Sequence, residues 1–261
     1  MALPNFNEQT TLLFFFFLQG MIFAGLLYRK GIQEEQVASK WLSVFVFLCC
    51  LYLVPWMLGH LNWYALDGYS DFLFFVPFHQ LFFLGPVMYM YTRSQLNPSF
   101  VFTWRDGWHF VPGALYLLYS LVIFVVDFFV LDEYYFYADG RDKDLAKWYQ
   151  ITGLLALLTY AVLSFQYYRA YRKAINATVS FADGIRFDWM RQFLLAVLLL
   201  VFLRAFFLII LPDWGSFGDK WWYYFFFGCV TYFIAFAGYG NTVKSLVPFD
   251  APPFSDEPEL T

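Results

Sequence analysis

The stretch FLFFVPFHQLFFLGPVMYMYTRS, Phe72–Ser94, is apolar over a length that crosses a bilayer, and it interrupts its own pattern. At ~1.5 Å of rise per residue, ~20 apolar residues span the hydrocarbon core. Pro77, the pair His79-Gln80 and the pair Gly85-Pro86 break the run. Proline removes a backbone donor and bends a helix. Inside a membrane such a break is tolerated only where neighbouring groups satisfy the freed backbone. A histidine and a glutamine are costly in lipid and must face other helices or a cavity. The stretch therefore belongs in the middle of a helical bundle, kinked or unwound near Pro77, Gly85 or Pro86. Arg93 marks its inner end.

The rest of the chain reads the same way. Of 261 residues, 61% are hydrophobic and 14% charged, against ~25% charged in soluble domains. Seven apolar segments have spanning length: Thr10–Tyr28, Trp41–Leu61, Phe72–Thr92, His109–Leu131, Trp148–Tyr168, Gln192–Leu211 and Trp221–Val243. Barrel strands would be ~10 residues long and alternating, so the expected fold is all-α, a polytopic seven-transmembrane-helix bundle. Residues 1–243 form the membrane domain, and the acidic, proline-rich 244–261 is expected to be a disordered tail. No basic leader or cleavage site marks a cleavable signal, and no internal repeat of the transporter kind is present.

Lysine and arginine set the orientation. Arg29, Lys30, Lys40, Arg93, Arg105, Arg169, Arg172, Lys173, Arg186, Arg191 and Lys244 fall on one side; Arg141, Lys143, Lys147 and Lys220 fall on the other. The first side is inside, which puts the N-terminus outside and the C-terminus inside. Trp41, Trp104, Trp108, Trp148, Trp189, Trp214, Trp221 and Trp222 lie near segment ends, where interfacial aromatics belong.

Polar groups cluster toward the outer half. Helix rise places His79 and Arg204 roughly 10 Å deep, Asp127 roughly 6 Å, and His60 near the surface. Arg204 costs at least ~2.5–3.5 kcal/mol in mid-helix unless it is paired. Its expected partner is Asp127 or an anionic ligand. A structural reading stands beside each functional one: an Arg204–Asp127 lock between two helices, interhelical hydrogen bonds from His79 and Gln80, and an interfacial His60. If the groups converge, they line an outer pocket of His60, His79, Gln80, Asp127 and Arg204. The aromatic loop Asp132–Lys147 would then roof it through Tyr134, Tyr135 and Tyr137. Gln19 lies near mid-depth, and His109 is expected to anchor the inner end of its helix.

Several function classes are excluded. H-E-x-x-H, G-x-S-x-G and P-loop signatures are absent, so no enzyme, catalytic residue or cofactor is expected. Cys49, Cys50 and Cys229 sit in apolar runs with no metal-ligand spacing, and no metal site is expected. A retinal protein needs a Schiff-base lysine, and the seventh segment has none between Lys220 and Lys244.

The motif order carries a resemblance. Leu18-Gln19-Gly20 is followed by FFLGPVMYMYTRS (Phe82–Ser94), NPSF (Asn97–Phe100), WHFVP (Trp108–Pro112), DWMRQFL (Asp188–Leu194) and GYGN (Gly238–Asn241). This order resembles the multi-pass sensor region of bacterial membrane-bound AraC-type transcriptional regulators. The resemblance implies a sensor or signal-transducing module in a bacterial inner membrane. It would act on a cytoplasmic output protein or through a homodimer, with a small-molecule ligand at its outer face. The family's helix-turn-helix domain has no counterpart before Thr261, so no direct nucleic-acid contact is expected of these residues. The alternatives are a structural or accessory subunit of a membrane complex and a small-molecule transporter. A transporter needs a polar path to the inner face, and the inner half is nearly all apolar.

Overall fold

Long apolar runs in lipid must satisfy every backbone group within the segment, and helices do so. The computed structural model describes residues 7–65, 73–97, 99–131, 133, 135–137, 142–178, 184–210 and 220–241. Among these, every long regular element is a helix and no strand occurs. The expected tail 244–261 lies outside the described residues.

The elements are α1 (Glu8–Gln33), α2 (Val37–His60), α3 (Leu81–Leu96), α4 (Trp104–Leu131), α5 (Lys147–Thr178), α6 (Gly184–Ile210) and α7 (Trp221–Asn241). Six helices among the described residues are long and apolar enough to cross a membrane; α3, with 16 residues, is not among them. The chain is a multi-pass membrane protein by this measure. At ~1.5 Å per residue α3 reaches about 24 Å, short of a ~30 Å hydrocarbon core.

The shortening has a local cause. The chain is helical over 73–75, leaves the helix at Val76 and resumes at Leu81. The expected unwinding thus falls at Pro77. Pro86 lies inside α3 without ending it, as Pro55 lies inside α2. Gly85 serves a different purpose from bending: a Cβ there would lie 2.6 Å from the Tyr160 ring of α5. Gly153 of α5 gives the same close approach to Leu81, again at 2.6 Å. Small residues let membrane helices meet where packing, not the hydrophobic effect, drives association.

The breaks do place this stretch centrally. Most of α3 is buried, and α2 is the other buried helix. Around them α1 and α7 run side by side in the same direction, through Phe16–Phe225 and Phe23–Phe236 ring contacts and a 2.8 Å bond from Lys30 Nζ to the Tyr239 carbonyl. By contrast α4 shows broad apolar surface, with Leu115, Leu118, Leu121, Phe129 and Val130 all exposed, as a lipid-facing helix should. Trp104, 86% exposed, and Trp108, Trp148 and Trp222 are exposed near helix ends as expected. Trp189 and Trp221 are not: both are buried, and Trp189 donates to the Tyr91 hydroxyl at 2.8 Å. For Trp189 a buried acceptor that takes its N–H accounts for the inward turn; the Trp221 N–H is buried with no hydrogen-bond partner among the described residues.

Gly153→Val should force Leu81 away and lower stability by about 1–3 kcal/mol, read as a lower melting temperature in detergent. Ala at the exposed Gly25, whose Cβ would meet nothing within 4 Å, should leave the melting temperature unchanged or raise it slightly. Equal effects of the two changes would contradict the packing.

Candidate functional site

The break before α3 exposes peptide groups that need partners in hydrocarbon, and two outside elements supply them. His79 N–H donates to Asp144 Oδ2 at 2.8 Å. The Tyr149 hydroxyl donates to the His79 carbonyl and accepts from Leu81 N–H at 3.2 Å. Within the break, the Gln80 side-chain amide donates to the Pro77 carbonyl. Asp144 sits in the 3-10 turn Lys143–Leu145 just before α5, and its other oxygen accepts the Tyr116 hydroxyl of α4 at 2.5 Å. Burial raises the carboxyl groups of Asp144 and the nearby Asp142 above the ordinary range.

The same turn leads to Arg204. Gln150 donates through its amide nitrogen to the Asp144 carbonyl at 2.5 Å, and its amide oxygen accepts from Arg204 Nη2. Arg204 Nη1 donates to the Tyr52 hydroxyl at 2.5 Å, and the Tyr52 and Tyr223 hydroxyls share a bond at 2.9 Å. The guanidinium also lies over the Tyr52 ring, 5.3 Å from its centroid. Tyr52 stacks in turn near His79, with ring centroids 4.4 Å apart. The result is one buried cluster joining α2, the broken segment, α4, α5, α6 and α7.

Two features of the cluster are unsatisfied. Both ring nitrogens of His79 are buried and make no hydrogen bond of normal geometry. Arg204, 5% exposed, leaves its Nε–H unpaired. A cavity of about 20 Å³ lies beside it, lined by Phe45, Leu81, Leu84, Val197, Leu200 and Tyr223 among others.

Several expectations need correction. Arg204 is not paired with Asp127: no ion pair joins them among the described residues. Asp127, 2% exposed, lies in the π-turn Val126–Leu131 that ends α4 and accepts the Phe136 N–H at 3.1 Å. The turn spends this carboxylate on its own loop. Tyr137 is buried against Phe74 and Phe75 in a separate small cluster with Ile123. Tyr135 is 66% exposed and meets Phe136 edge-on, and Tyr134 lies outside the described residues. Among the described residues, the part of that loop that reaches the polar cluster is the Lys143–Leu145 turn, through Asp144. His60 ends α2 two turns beyond Tyr52, about 12 Å along the axis. Of the residues expected to converge, His79, Gln80 and Arg204 belong to this region.

Tyr52, Tyr116, Asp144, Tyr149, Gln150 and Tyr223 were not singled out by the sequence. A tyrosine in a long apolar run has an ordinary packing reading, and Asp144 and Gln150 flank a predicted helix start where polar residues are common. Gln19 gained no partner: both its amide atoms are buried without a hydrogen bond. The opposite end of the bundle is more polar than expected. Arg93 pairs with Asp106, and His109 Nδ1 bonds the Tyr160 hydroxyl at 3.0 Å, the expected anchor.

No metal-holding group of histidine, cysteine and carboxylate side chains occurs among the described residues. Chemically the site offers a buried cation held by neutral partners, with hydrogen-bonding capacity left over. No protein-family model, curated protein or solved structure matches the chain.

A double-mutant cycle tests the wiring. Arg204→Gln with Tyr52→Phe should be non-additive by about 1 kcal/mol or more, because the two share one bond. Arg204→Gln with Asp127→Asn should add to within ~0.5 kcal/mol. Strong coupling in the second pair would restore the discarded lock.

Proposed function

We propose that the protein is a sensor module of a bacterial inner membrane, with its ligand site at the Arg204 cluster. The carrying observation is one buried cation, without a carboxylate partner among the described residues, inside a polar cluster that joins six chain segments. A buried charge is a functional-site hypothesis by default in a membrane, and neutral partners leave this one able to accept an anionic group. A ligand that engaged Arg204 would compete with Tyr52 and Gln150 and so change how α6 meets α2 and α5. Helix shifts of this kind, in a bundle with two discrete packings, carry signals. The resemblance in motif order to AraC-type membrane regulators supports the same class, with output passed to a cytoplasmic partner or a second copy of the chain.

In this reading the chain crosses the bilayer seven times, N-terminus outside and C-terminus inside. The broken segment and α3 together make the third crossing. The bias of lysine and arginine supports this orientation, and the Arg204 cluster then faces the outer half. The opposite ends of α5 and α6, with Arg169, Arg172, Lys173 and Arg191, form the inner surface that moves.

Two measurements test the proposal. A C-terminal alkaline phosphatase fusion should be inactive and a green fluorescent protein fusion bright; the reverse pattern would overturn the orientation. Spin labels at Lys173→Cys and Arg191→Cys should report a different distance distribution when Arg204→Gln is added, in protein that stays monodisperse. An unchanged distribution would separate Arg204 from the inner surface and sink the sensor reading.

A further inference from the structure

We propose that the cavity beside Arg204 is a binding site for a small monovalent anion of halide or formate size. This deepens the sensor reading by giving the ligand class, and it rests on that reading's choice of site.

Charge comes first. Arg204 is held by the hydroxyl of Tyr52, the amide oxygen of Gln150 and an interaction with Tyr223, all neutral groups. The Asp144 carboxylate takes its bonds from His79 N–H and Tyr116 and makes no ion pair with Arg204. A cation with no ion-pair partner among the described residues, in a low-dielectric interior, attracts an anion far more strongly than it would in water.

Direction and size follow. The Nε–H of Arg204 is buried and unpaired, and Arg204 itself forms part of the cavity wall. The cavity holds about 20 Å³, where a single water needs roughly 10–15 Å³. One compact occupant fits and a sugar, amino acid or longer-chain acid does not. Water is the weaker candidate. It seeks two to four polar partners; beside Arg204 the wall has only the hydroxyls of Tyr52 and Tyr223, already bonded to each other and Tyr52 to Arg204, and is otherwise Phe, Leu, Val, Cys49 and Gly153. An anion needs fewer donors here, since the charge itself is attractive.

The experiment uses the full chain, purified in detergent, in sodium gluconate at fixed ionic strength. Chloride, bromide or formate replaces gluconate stepwise. The melting temperature should rise by several degrees and follow the logarithmic dependence of a bound ligand. Sodium sulfate at matched ionic strength should give no such rise. Arg204→Gln should lose the response. Leu200→Phe, which fills the cavity and leaves Arg204 in place, should lose it as well. No anion-dependent shift in the wild type would overturn the proposal. So would an equal shift with sulfate, or an unchanged chloride response in Leu200→Phe. Stability reads the anion alone and the spin-label distances read coupling to the inner surface, so either reading can fail without the other.

Discussion

Everything at the Arg204 end follows from one constraint: a peptide backbone released from its helix inside hydrocarbon must find partners. Pro77 interrupts the helix, and the peptide groups around His79 are left without intrahelical bonds. Each such group would cost several kcal/mol unpaired in lipid. Asp144 takes the His79 N–H, and Tyr149 takes the His79 carbonyl. Those two bonds tie the start of α5 and its preceding turn to the start of α3. The register of α5 against α3 is then set, and the glycines at positions 85 and 153 fall where Tyr160 and Leu81 need room.

From that register the polar cluster propagates. Gln150 is the next residue after Tyr149, so once Tyr149 is fixed the Gln150 amide is fixed too. Its two ends reach the Asp144 carbonyl and Arg204. Arg204 draws in Tyr52, and Tyr52 draws in Tyr223. Each member is held by a neighbour whose own position is determined by another. A buried polar network of this type rigidifies when satisfied and is costly where it is not. The unpaired Nε–H of Arg204 and the bare ring of His79 are therefore its informative exceptions.

How much of this was legible in the sequence depends on the length scale of the signal. Helical class and the central place of Phe72–Ser94 were readable, because hydropathy over ~20 residues and internal proline are strong local signals. The break at Pro77 was legible for the same reason. That Pro86 would pass inside a helix was not, since two prolines with equal local effects are distinguished only by what packs around them. His79 and Arg204 stood out through the cost of their burial. Their partners did not, because a tyrosine or glutamine becomes special only when three-dimensional register aims its polar tip at a charge. Asp127 misled for a related reason. Depth along the helix axis placed it near Arg204, but a π-turn rotated its carboxylate toward the Phe136 amide. Axial depth carries no information about which face a residue occupies once the helical repeat changes.

The choice of neutral partners for Arg204 also bears on how the cluster could respond. A buried arginine locked by a carboxylate is a closed unit, and removing either partner costs about 3–5 kcal/mol. Phenol and amide oxygens accept hydrogen bonds but do not cancel the charge. They can be exchanged for an anion at a smaller loss, since each neutral bond contributes only about 0.5–1.5 kcal/mol, and bonds to a charge about 1.5–3 kcal/mol. The carboxylate nearest in the network, Asp144, is engaged by a backbone N–H and a phenol. It is committed to closing the break before α3, and that commitment is what leaves the arginine open. The proline that shortens the third helix and the cation that lacks a counter-ion among the described residues are thus two ends of the same arrangement.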